Sequence, residues 1–588
     1  MVAPQDFIYT RNEMVSHIPF PNFVRLLNFQ FTSNNALESR EGFEPLHYYT
    51  NPIIEPDTEL CQIEFNETKG LALMPELKYV PEKTYFLNHI EVSTLTLFGD
   101  SLIFSGPNAS SFHIVPFALT PEGTSNIYSY TAKDVLDVFV EGDERGGIHI
   151  YQGKPLFWNG KGSYQTFANT IAETGFTRLD NQILPLEDQT IISACTFEER
   201  LVVATLQGNI LWSQPQWDGS SSWDDVGADG ENFLKITLEP GEIIEFIQES
   251  RGGIVVSTRN SAKTQGRIYN IISLDPANLA VIPTGKNSFF SRNGVIELDD
   301  VLMGIAPQGL LKINFDSNAK AAAPRTENMA VNILLENIYQ NNTIFSFLDA
   351  YQESKIKRAY FIYEWDLNKK RTTKLLCYHF GLNKWSQLET GLPIQRMFSY
   401  YGYSAGAGWV HDEEGNIFLG LWVASELRQD IDIKVKGSKI VDGKTYYFWE
   451  EDKVIPYKKK WISGSVNIGD FGNFVPGTGN KPIQVFFSSD EEIEYILGYR
   501  SYTKYGTWTT GLDRFKEEAI IQATDMEKWS DRITSKGVWG TAHKLHYLHQ
   551  KATALLPNAD LVYQILFESD SDALISIHDM GPDSANNN

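Results

Sequence analysis

The sequence predicts an all-β protein, a β-propeller of six to eight blades with an additional β-sandwich-like platform domain. Short runs of β-branched and aromatic residues, separated by Gly-containing turns, recur along most of the 588-residue chain. Hydrophobic residues make up 42% and aromatic residues 13% of the chain, and 44 glycines supply turns. This balance suits many short strands, because aromatic and β-branched side chains fit a pleated, half-buried surface.

Residues 191–237 contain the pattern in its clearest form. LVVAT (201–205) and NILWS (209–213) flank a Gly-containing connection, which is typical of a β-hairpin. A polar loop with Trp223 follows, and a further strand is predicted at 233–237. Three short antiparallel strands in this space make up most of one propeller blade.

Similar units occur at 93–117, 135–162, 242–274, 287–315, 358–388 and 397–422, a spacing typical of the blades of a radial fold. In the unit at 287–315 the turns are predicted at Asn293-Gly294 and Gln308-Gly309. The residues that we expect to face blade interfaces or cores are Trp212, Phe157, Val203 and Ile254.

These patterns predict that the chain is divided into three parts. Residues 1–80 are rich in proline, which interrupts helices and central strands, and they predict a partly extended N-terminal arm. Residues 81–428 are assigned to the propeller, and residues 429–588 to a C-terminal β domain that serves as a platform for docking. A short helix is expected within 513–533.

The charge of the chain is strongly acidic and unevenly distributed. The formal net charge is -24, and residues 1–300 hold 39 Asp and Glu against 19 Lys and Arg. This charge argues against nonspecific DNA binding, which needs cationic contacts to phosphate. A solvated, solubilising acidic face is the alternative reading.

Motifs that carry chemistry are not found in the sequence. The three cysteines show no C-x-x-C spacing, so neither a disulfide framework nor a zinc site is predicted. The segment DDVGADGEN (224–232) lacks the alternating order of a calcium loop, and no pair of catalytic carboxylates can be chosen without geometry. We therefore predict no enzyme activity, no metal, no cofactor and no membrane insertion.

Residues 95–315 resemble the tail nozzle proteins of short-tailed bacteriophages, also called tail tubular protein B, and the related packaged-DNA stabilisation proteins. Three segments carry the resemblance in this order: ERLVVATLQGNILWSQPQWDGSSSW, LEPGEIIEFIQESRGGIVVSTRNSAKTQGRIYNI and GKNSFFSRNGVIELDDVLMGIAPQGLLKI. The C-terminal IPYKKKWISGSVNIGDFGN looks like the entry to the platform of such proteins.

The resemblance implies a structural virion protein, made in the bacterial host cytoplasm and assembled into the tail. It implies a hexameric ring below the portal and adaptor proteins that closes and conducts the DNA exit channel and anchors tail fibre or tail-tip proteins. Double-stranded DNA would pass through without specific binding. The acidic loops that we expect to face this channel, where they would repel the duplex, contain Glu141, Asp143, Glu144, Asp224, Asp225, Asp229, Glu231, Asp299 and Asp300.

Two other function classes stay open at this point. One is a propeller enzyme or lectin that acts on cell-surface glycans, which an arginine cluster and paired carboxylates at the propeller centre would favour. The other is an intracellular propeller scaffold for protein interaction, which a monomer with an apolar top face would favour.

Overall fold

A computed structural model shows a β-propeller joined to a β-sandwich. The structure describes residues 26–32, 37–45, 72–75, 94–98, 101–105, 111–116, 128–131, 147–158, 165–168, 176–178, 189–218, 223, 232–251, 253–260, 266–275, 278–285, 288–289, 292–298, 301–306, 309–314, 349–353, 357–366, 372–382, 384–400, 403–411, 417–425, 428–441, 444–462, 466–467, 481–490, 493–501, 519–522, 527–528, 548–556 and 562–582. These residues are mostly strand and contain no α-helix.

Five short strands come from the N-terminal part of the chain. They are β1 (Leu26–Leu27), β2 (Phe29–Phe31), β3 (Leu37–Ser39), β4 (Gly42–Pro45) and β5 (Ala72–Pro75). Each pairs with a strand from a later part of the chain, with the exception of β2, which pairs with β3. The N-terminal segment is therefore built into the body of the protein at several separate points.

Four antiparallel four-stranded sheets form the first blades. Blade 1 contains β6 (Thr94–Phe98), β7 (Ser101–Ser105), β8 (Ser111–Pro116) and β9 (Tyr128–Thr131). Blade 2 contains β10 (Gly147–Tyr151), β11 (Lys154–Trp158), β12 (Gln165–Ala168) and β13 (Phe176–Arg178). Blade 3 contains β14 (Ile191–Phe197), β15 (Arg200–Thr205), β16 (Asn209–Trp212) and β17 (Phe233–Lys235). Blade 4 contains β18 (Glu242–Ser250), β19 (Gly253–Asn260), β20 (Ile268–Ile271) and β21 (Val281–Gly285).

Three further sheets complete the propeller in the described part of the chain. Blade 5 contains β22 (Val295–Leu298), β23 (Val301–Ala306) and β24 (Gly309–Asn314). Blade 6 contains β25 (Asp349–Glu353), β26 (Arg358–Asp366), β27 (Thr372–His379) and β28 (Lys384–Thr390). Blade 7 contains β29 (Arg396–Tyr400), β30 (Tyr403–His411) and β31 (Ile417–Ser425), and the N-terminal β4 is its outermost strand.

The innermost strands form a closed ring. The first strands of blades 1 to 4, which are β6, β10, β14 and β18, contact one another in that order. β18 then contacts the 3-10 turn Arg292–Gly294, which leads into β22. From there β22 contacts β25, and β25 contacts β29. Contacts between β29 and β6 close it. The described sheets thus make seven blades, within the predicted range of six to eight.

Clusters of buried apolar side chains join neighbouring blades from blade 2 to blade 6. Val203 packs in the cluster between blades 2 and 3, whereas Trp212 and Ile254 pack in the cluster between blades 3 and 4. All three side chains are fully buried, as predicted. Phe157 lies on β11, but its side chain is outside the described residues. Because successive residues of a strand point to opposite faces, one strand can serve two interfaces.

The turns of blade 5 differ from the prediction at one point. Asn293-Gly294 belongs to the 3-10 turn that precedes β22, and the register of β22 with β23 ends with the pair Leu298 and Val301. A Cβ on Gly304 would come within 2.9 Å of the Gly294 carbonyl oxygen, so the two strands approach closely here. The Asn-Gly pair therefore opens the blade and does not reverse the chain.

Two long strands follow the propeller, β32 (Asp430–Val441) and β33 (Lys444–Ile455), and β5 pairs with β33. The platform strands come next. They are β34 (Lys459–Ile462), β35 (Val466–Asn467), β36 (Lys481–Ser489), β37 (Glu494–Ser501), β38 (Ala519–Gln522), β39 (Glu527–Lys528), β40 (Leu548–Leu556), β41 (Val562–Ser569) and β42 (Ile575–Pro582).

The platform is a sandwich of two sheets. One sheet has the order β2-β3-β42-β36-β40-β39, and the other includes β34, β41, β37 and β38. Phe487 of the first sheet packs against Phe567 and Tyr495 of the second, with ring centroids 4.9 and 5.2 Å apart. Aromatic side chains therefore fill the space between the sheets.

The expected short helix within 513–533 is wrong for the residues that the structure describes there. Residues 519–522 form β38 and residues 527–528 form β39, which pair with β37 and β40. Pairing with a sheet from other parts of the chain outweighs the weak local preference for a helix.

One sheet passes from the propeller into the platform without a break. Its order is β25-β26-β27-β28-β1-β34-β41-β37-β38, so blade 6 continues into the platform through the N-terminal β1. Leu27 pairs with Gln387 of blade 6 on one side and with Lys460 of the platform on the other. Backbone hydrogen bonds thus connect the two domains.

Candidate functional site: the propeller–platform joint

None of the predicted channel-facing acids is among the described residues. Glu141, Asp143 and Glu144 precede β10, residues 224–231 lie between β16 and β17, and Asp299 and Asp300 lie between β22 and β23. Their placement at a channel therefore stays a prediction.

The site that the structure does bring together lies where the N-terminal segment crosses between the domains. Asn28 stands between β1 and β2 and has a positive φ of 58°. This left-handed conformation is one that asparagine tolerates better than most residues, and it lets the chain leave one platform sheet and enter the other. Its side-chain oxygen accepts from the Glu389 backbone N–H at 2.8 Å, and its Nδ2 donates to the Lys458 carbonyl at 2.8 Å.

Arg40 lies next to this turn and uses all of its hydrogen-bond donors. Its Nη1 and Nη2 donate to the two carboxylate oxygens of Asp430 at 2.9 and 2.6 Å. The remaining donors reach the Glu41 carbonyl at 2.8 Å, the Glu389 carbonyl at 3.0 Å and the Asn28 side-chain oxygen at 3.2 Å. The fork geometry of a guanidinium suits such a bidentate contact with a carboxylate.

Both carboxylate oxygens of Asp430, the first residue of β32, also accept hydrogen bonds from other residues. Besides Arg40 it accepts from the Thr390 hydroxyl at 2.7 Å and from the Phe43 backbone N–H at 3.1 Å. Asp430 is completely buried, and Arg40 is 1% exposed. A buried ion pair is stable only when its remaining hydrogen-bonding groups are also satisfied, and this pair meets that condition.

Tyr457 and Lys459 complete the joint from the platform side. The Tyr457 ring carries the Arg40 guanidinium 3.7 Å from its centroid and the Lys459 ammonium 4.5 Å from its centroid. The Tyr457 hydroxyl donates to the Arg40 carbonyl, and Lys459 Nζ donates to the Ser571 carbonyl. Two cations therefore share one aromatic ring, which stabilises both by cation–π attraction.

Burial and neighbouring charges shift the pKa values of the titratable groups at the joint. Burial alone lowers the pKa of Arg40, but attraction to Asp430 and the hydrogen bonds between them outweigh it, and the pKa is raised. Burial, together with the positive charge of Arg40, lowers the pKa of Lys459 to about 8. Burial raises the pKa of Tyr457, although Arg40 opposes the shift. Lys459 is thus the group of the joint whose charge is most sensitive to mildly basic pH.

The sequence contained no pattern that points to this joint. Its residues come from the N-terminal segment, from blade 6 and from the start of β32 and of β34, and they meet only because β1 and β4 insert between later strands. The apolar run LLNFQF at 26–31 was the available hint that this segment forms buried strands.

Arg40 and Asp430 bind groups of the same chain, so this pair holds chain segments in position. Among the described residues no group of His, Cys, Asp and Glu side chains could hold a metal ion. Nor does this part of the chain contain a helix of the length and apolarity that a membrane crossing requires.

No protein-family model and no curated protein sequence matches the chain. Among solved structures it is similar to the WD40 domain of Neurospora crassa Pan2, with a TM-score of 0.33, 10% identity, and coverage of 59% of this chain and 92% of that one. It is also similar to a chain of the mitotic checkpoint complex (TM-score 0.33, 8% identity, coverage 64% and 98%). A third similarity is to the hydrazine synthase of Kuenenia stuttgartiensis (TM-score 0.37, 11% identity, coverage 58% and 98%). These similarities concern the propeller architecture.

Proposed function

We propose that the chain is a structural virion protein, the tail nozzle subunit of a short-tailed bacteriophage. The observation that carries the proposal is the continuous sheet from blade 6 to the platform, fixed by the buried Arg40–Asp430 pair. A subunit of a ring that closes and conducts a DNA exit channel must keep its domains in one relative position. A buried polar joint with all partners satisfied provides this rigidity.

The three segments that resemble nozzle proteins support the same assignment. They fall on blades 3, 4 and 5, which are consecutive in the ring. The three segments that resemble nozzle proteins therefore occupy three successive blades of the propeller.

In this proposal the chain assembles as a hexameric ring below the portal and adaptor proteins and anchors fibre or tail-tip proteins. The acidic loops at 141–144, 224–231 and 299–300 face the exit channel and keep the DNA centred by repulsion. Charges within about a Debye length of the duplex, roughly 8 Å at physiological salt, would contribute most.

The experiment is immunogold electron microscopy of density-purified virus particles from the source lysate, with antibodies raised against the purified chain. We expect label at a single vertex, and sixfold rings in images of isolated tails. Finding the chain in the host fraction and not in particles would contradict the proposal.

A second measurement separates the two alternatives. The purified chain is tested for binding to bacterial surface glycans and for their hydrolysis. Saturable glycan binding by a chain that is absent from particles would favour the enzyme or lectin, and a monomer that captures only host proteins would favour the scaffold.

A further inference from the structure

Arg292 is a cation that no carboxylate of the described residues neutralises. Arg292 lies in the 3-10 turn that leads into β22, the innermost strand of blade 5. Its guanidinium carbon lies 5.8 Å from the centroid of the Trp158 ring, which belongs to blade 2. The Arg292 side chain therefore reaches across the space that the innermost strands enclose, which we call the axial channel.

Neighbouring acids do not neutralise this charge. Arg292 forms no ion pair with any described residue. Burial and the nearby Glu297 raise the pKa of Glu249. Loss of hydration lowers the pKa of Arg292, so the fold holds this cation in an unfavourable environment. Arg292 is partly buried and has no anionic partner among the described residues, so its guanidinium can still bind an anion.

Other groups at the same place suit an anion. Nε2 of His149 in blade 2 shares a hydrogen bond of 2.9 Å with Thr196 Oγ1 in blade 3. If the hydroxyl donates to Nε2, the neutral ring keeps an Nδ1–H group as a free donor. The register of β10 with β11, in which Gly147 pairs with Trp158 and His149 with Leu156, places His149 and Trp158 on the same face of blade 2. Burial, and then the positive charge of Arg292, lower the pKa of His149 to about 3.

We propose that the axial channel binds a small oxyanion of the phosphate class at Arg292, beside the Trp158 ring and the His149–Thr196 pair. The guanidinium presents paired N–H donors to two oxygens of the anion, as arginines do toward phosphate and carboxylate. The site is independent of the proposed nozzle function, because it rests on the axis of a single propeller.

The test is isothermal titration of the full chain with inorganic phosphate, with sulfate and acetate at equal ionic strength as comparison ligands. We expect saturable binding of phosphate, weakened about tenfold or more in Arg292→Gln, since a charge-assisted hydrogen bond is lost. Sulfate binding equal to phosphate would define the site as one for tetrahedral oxyanions, and tighter binding of acetate would overturn the phosphate assignment.

Arg267→Gln is the matched control. It also removes one arginine, but Arg267 immediately precedes β20 and forms an ion pair with Glu239. Phosphate binding should be unchanged in this variant. Equal weakening in both variants would mean that only net charge matters and would overturn the proposal, as would absence of saturable binding in the unmodified chain.

A second readout separates ligation from a structural role. The bound anion should raise the pKa of His149 toward its ordinary range, measured by NMR of the imidazole and assigned with His149→Gln. This shift should disappear in Arg292→Gln. A pKa of His149 that phosphate leaves unchanged, in a chain that binds phosphate, would place the ligand elsewhere.

Discussion

The Arg40 guanidinium and the Asp430 carboxylate form a bidentate ion pair across 390 positions of the chain. The pair joins the N-terminal segment to the first residue of β32, where the propeller ends. Thr390 of blade 6 and the backbone of Phe43 in blade 7 bind the same carboxylate. One buried contact thus fixes the relative position of three parts of the chain: the N-terminal segment, blade 6 and the start of β32.

Asp430→Asn should lower the free energy of unfolding by about 3 to 5 kcal/mol, because it leaves the Arg40 cation buried without a counter-charge. Urea titration monitored by tryptophan fluorescence measures the change. Arg267→Gln breaks a solvent-exposed pair and should change stability by less than about 1 kcal/mol. The double variant Arg40→Met with Asp430→Leu should recover part of the loss, and equal loss in the single and double variants would contradict this account.

Stability should rise with pH above about 8 because of Lys459. Its pKa is about 8 in the folded protein and 10.5 as its ordinary value. Between these values the unfolded chain holds the proton more tightly, so raising the pH favours the folded state, by on the order of 3 kcal/mol over the full window.

Lys459→Met should flatten this rise, and thermal unfolding from about pH 7.5 to pH 9.5 compares the two proteins. The window ends near pH 10, where ionisation of Tyr457 in the unfolded chain begins to act in the opposite direction. A pH profile that is the same in both proteins would show that Lys459 does not titrate there.

Acid should destabilise the propeller through His149. Its pKa falls from 6.5 to about 3 on folding, so the stability that its neutral form contributes is complete above pH 6.5 and is lost as the pH falls toward 3. His149→Gln should unfold at a lower pH than the unmodified chain in acid titrations followed by circular dichroism. An acid midpoint that does not move would count against the prediction.

Trp212→Ala should cost about 3 to 5 kcal/mol, because it empties the cluster between blades 3 and 4. Trp212→Phe should cost much less, since it keeps most of the apolar volume and removes an indole N–H that has no hydrogen-bond partner. Denaturant titration of both variants gives the comparison. Similar losses in the two would indicate that the indole N–H is bonded in solution.

Removal of residues 1–45 should destabilise both blade 7 and the joint, because it deletes β1, β4 and Arg40. Removal of residues 1–25 keeps all described strands and serves as the control. Limited proteolysis should cut the longer deletion first between β31 and β34. Equal resistance of both truncated chains would show that β4 is dispensable for blade 7.

Local pattern was enough to predict the propeller and many of its blade strands, but not β12, β13 or the N-terminal β4 of blade 7. In blade 3 the two runs 201–205 and 209–213 coincide with β15 and β16, because a buried hairpin needs apolar residues on both faces and a tight turn between them. Trp212, Val203 and Ile254 were predicted to be buried for the same reason. The sandwich was predicted from the strand-rich character of the last part of the chain.

The joint could be identified only from the tertiary structure. Arg40, Asp430 and Tyr457 are ordinary charged and aromatic residues in the sequence, and no spacing relates residues that are hundreds of positions apart. The turn at Asn293-Gly294 shows the same limit on a smaller scale, because an Asn-Gly pair favours a hairpin turn but here forms the 3-10 turn before β22. The sequence alone therefore determined which segments form buried strands, through alternation and turn chemistry. Only the tertiary structure decided which polar side chains meet, because their partners are brought together by strand pairing between distant parts of the chain.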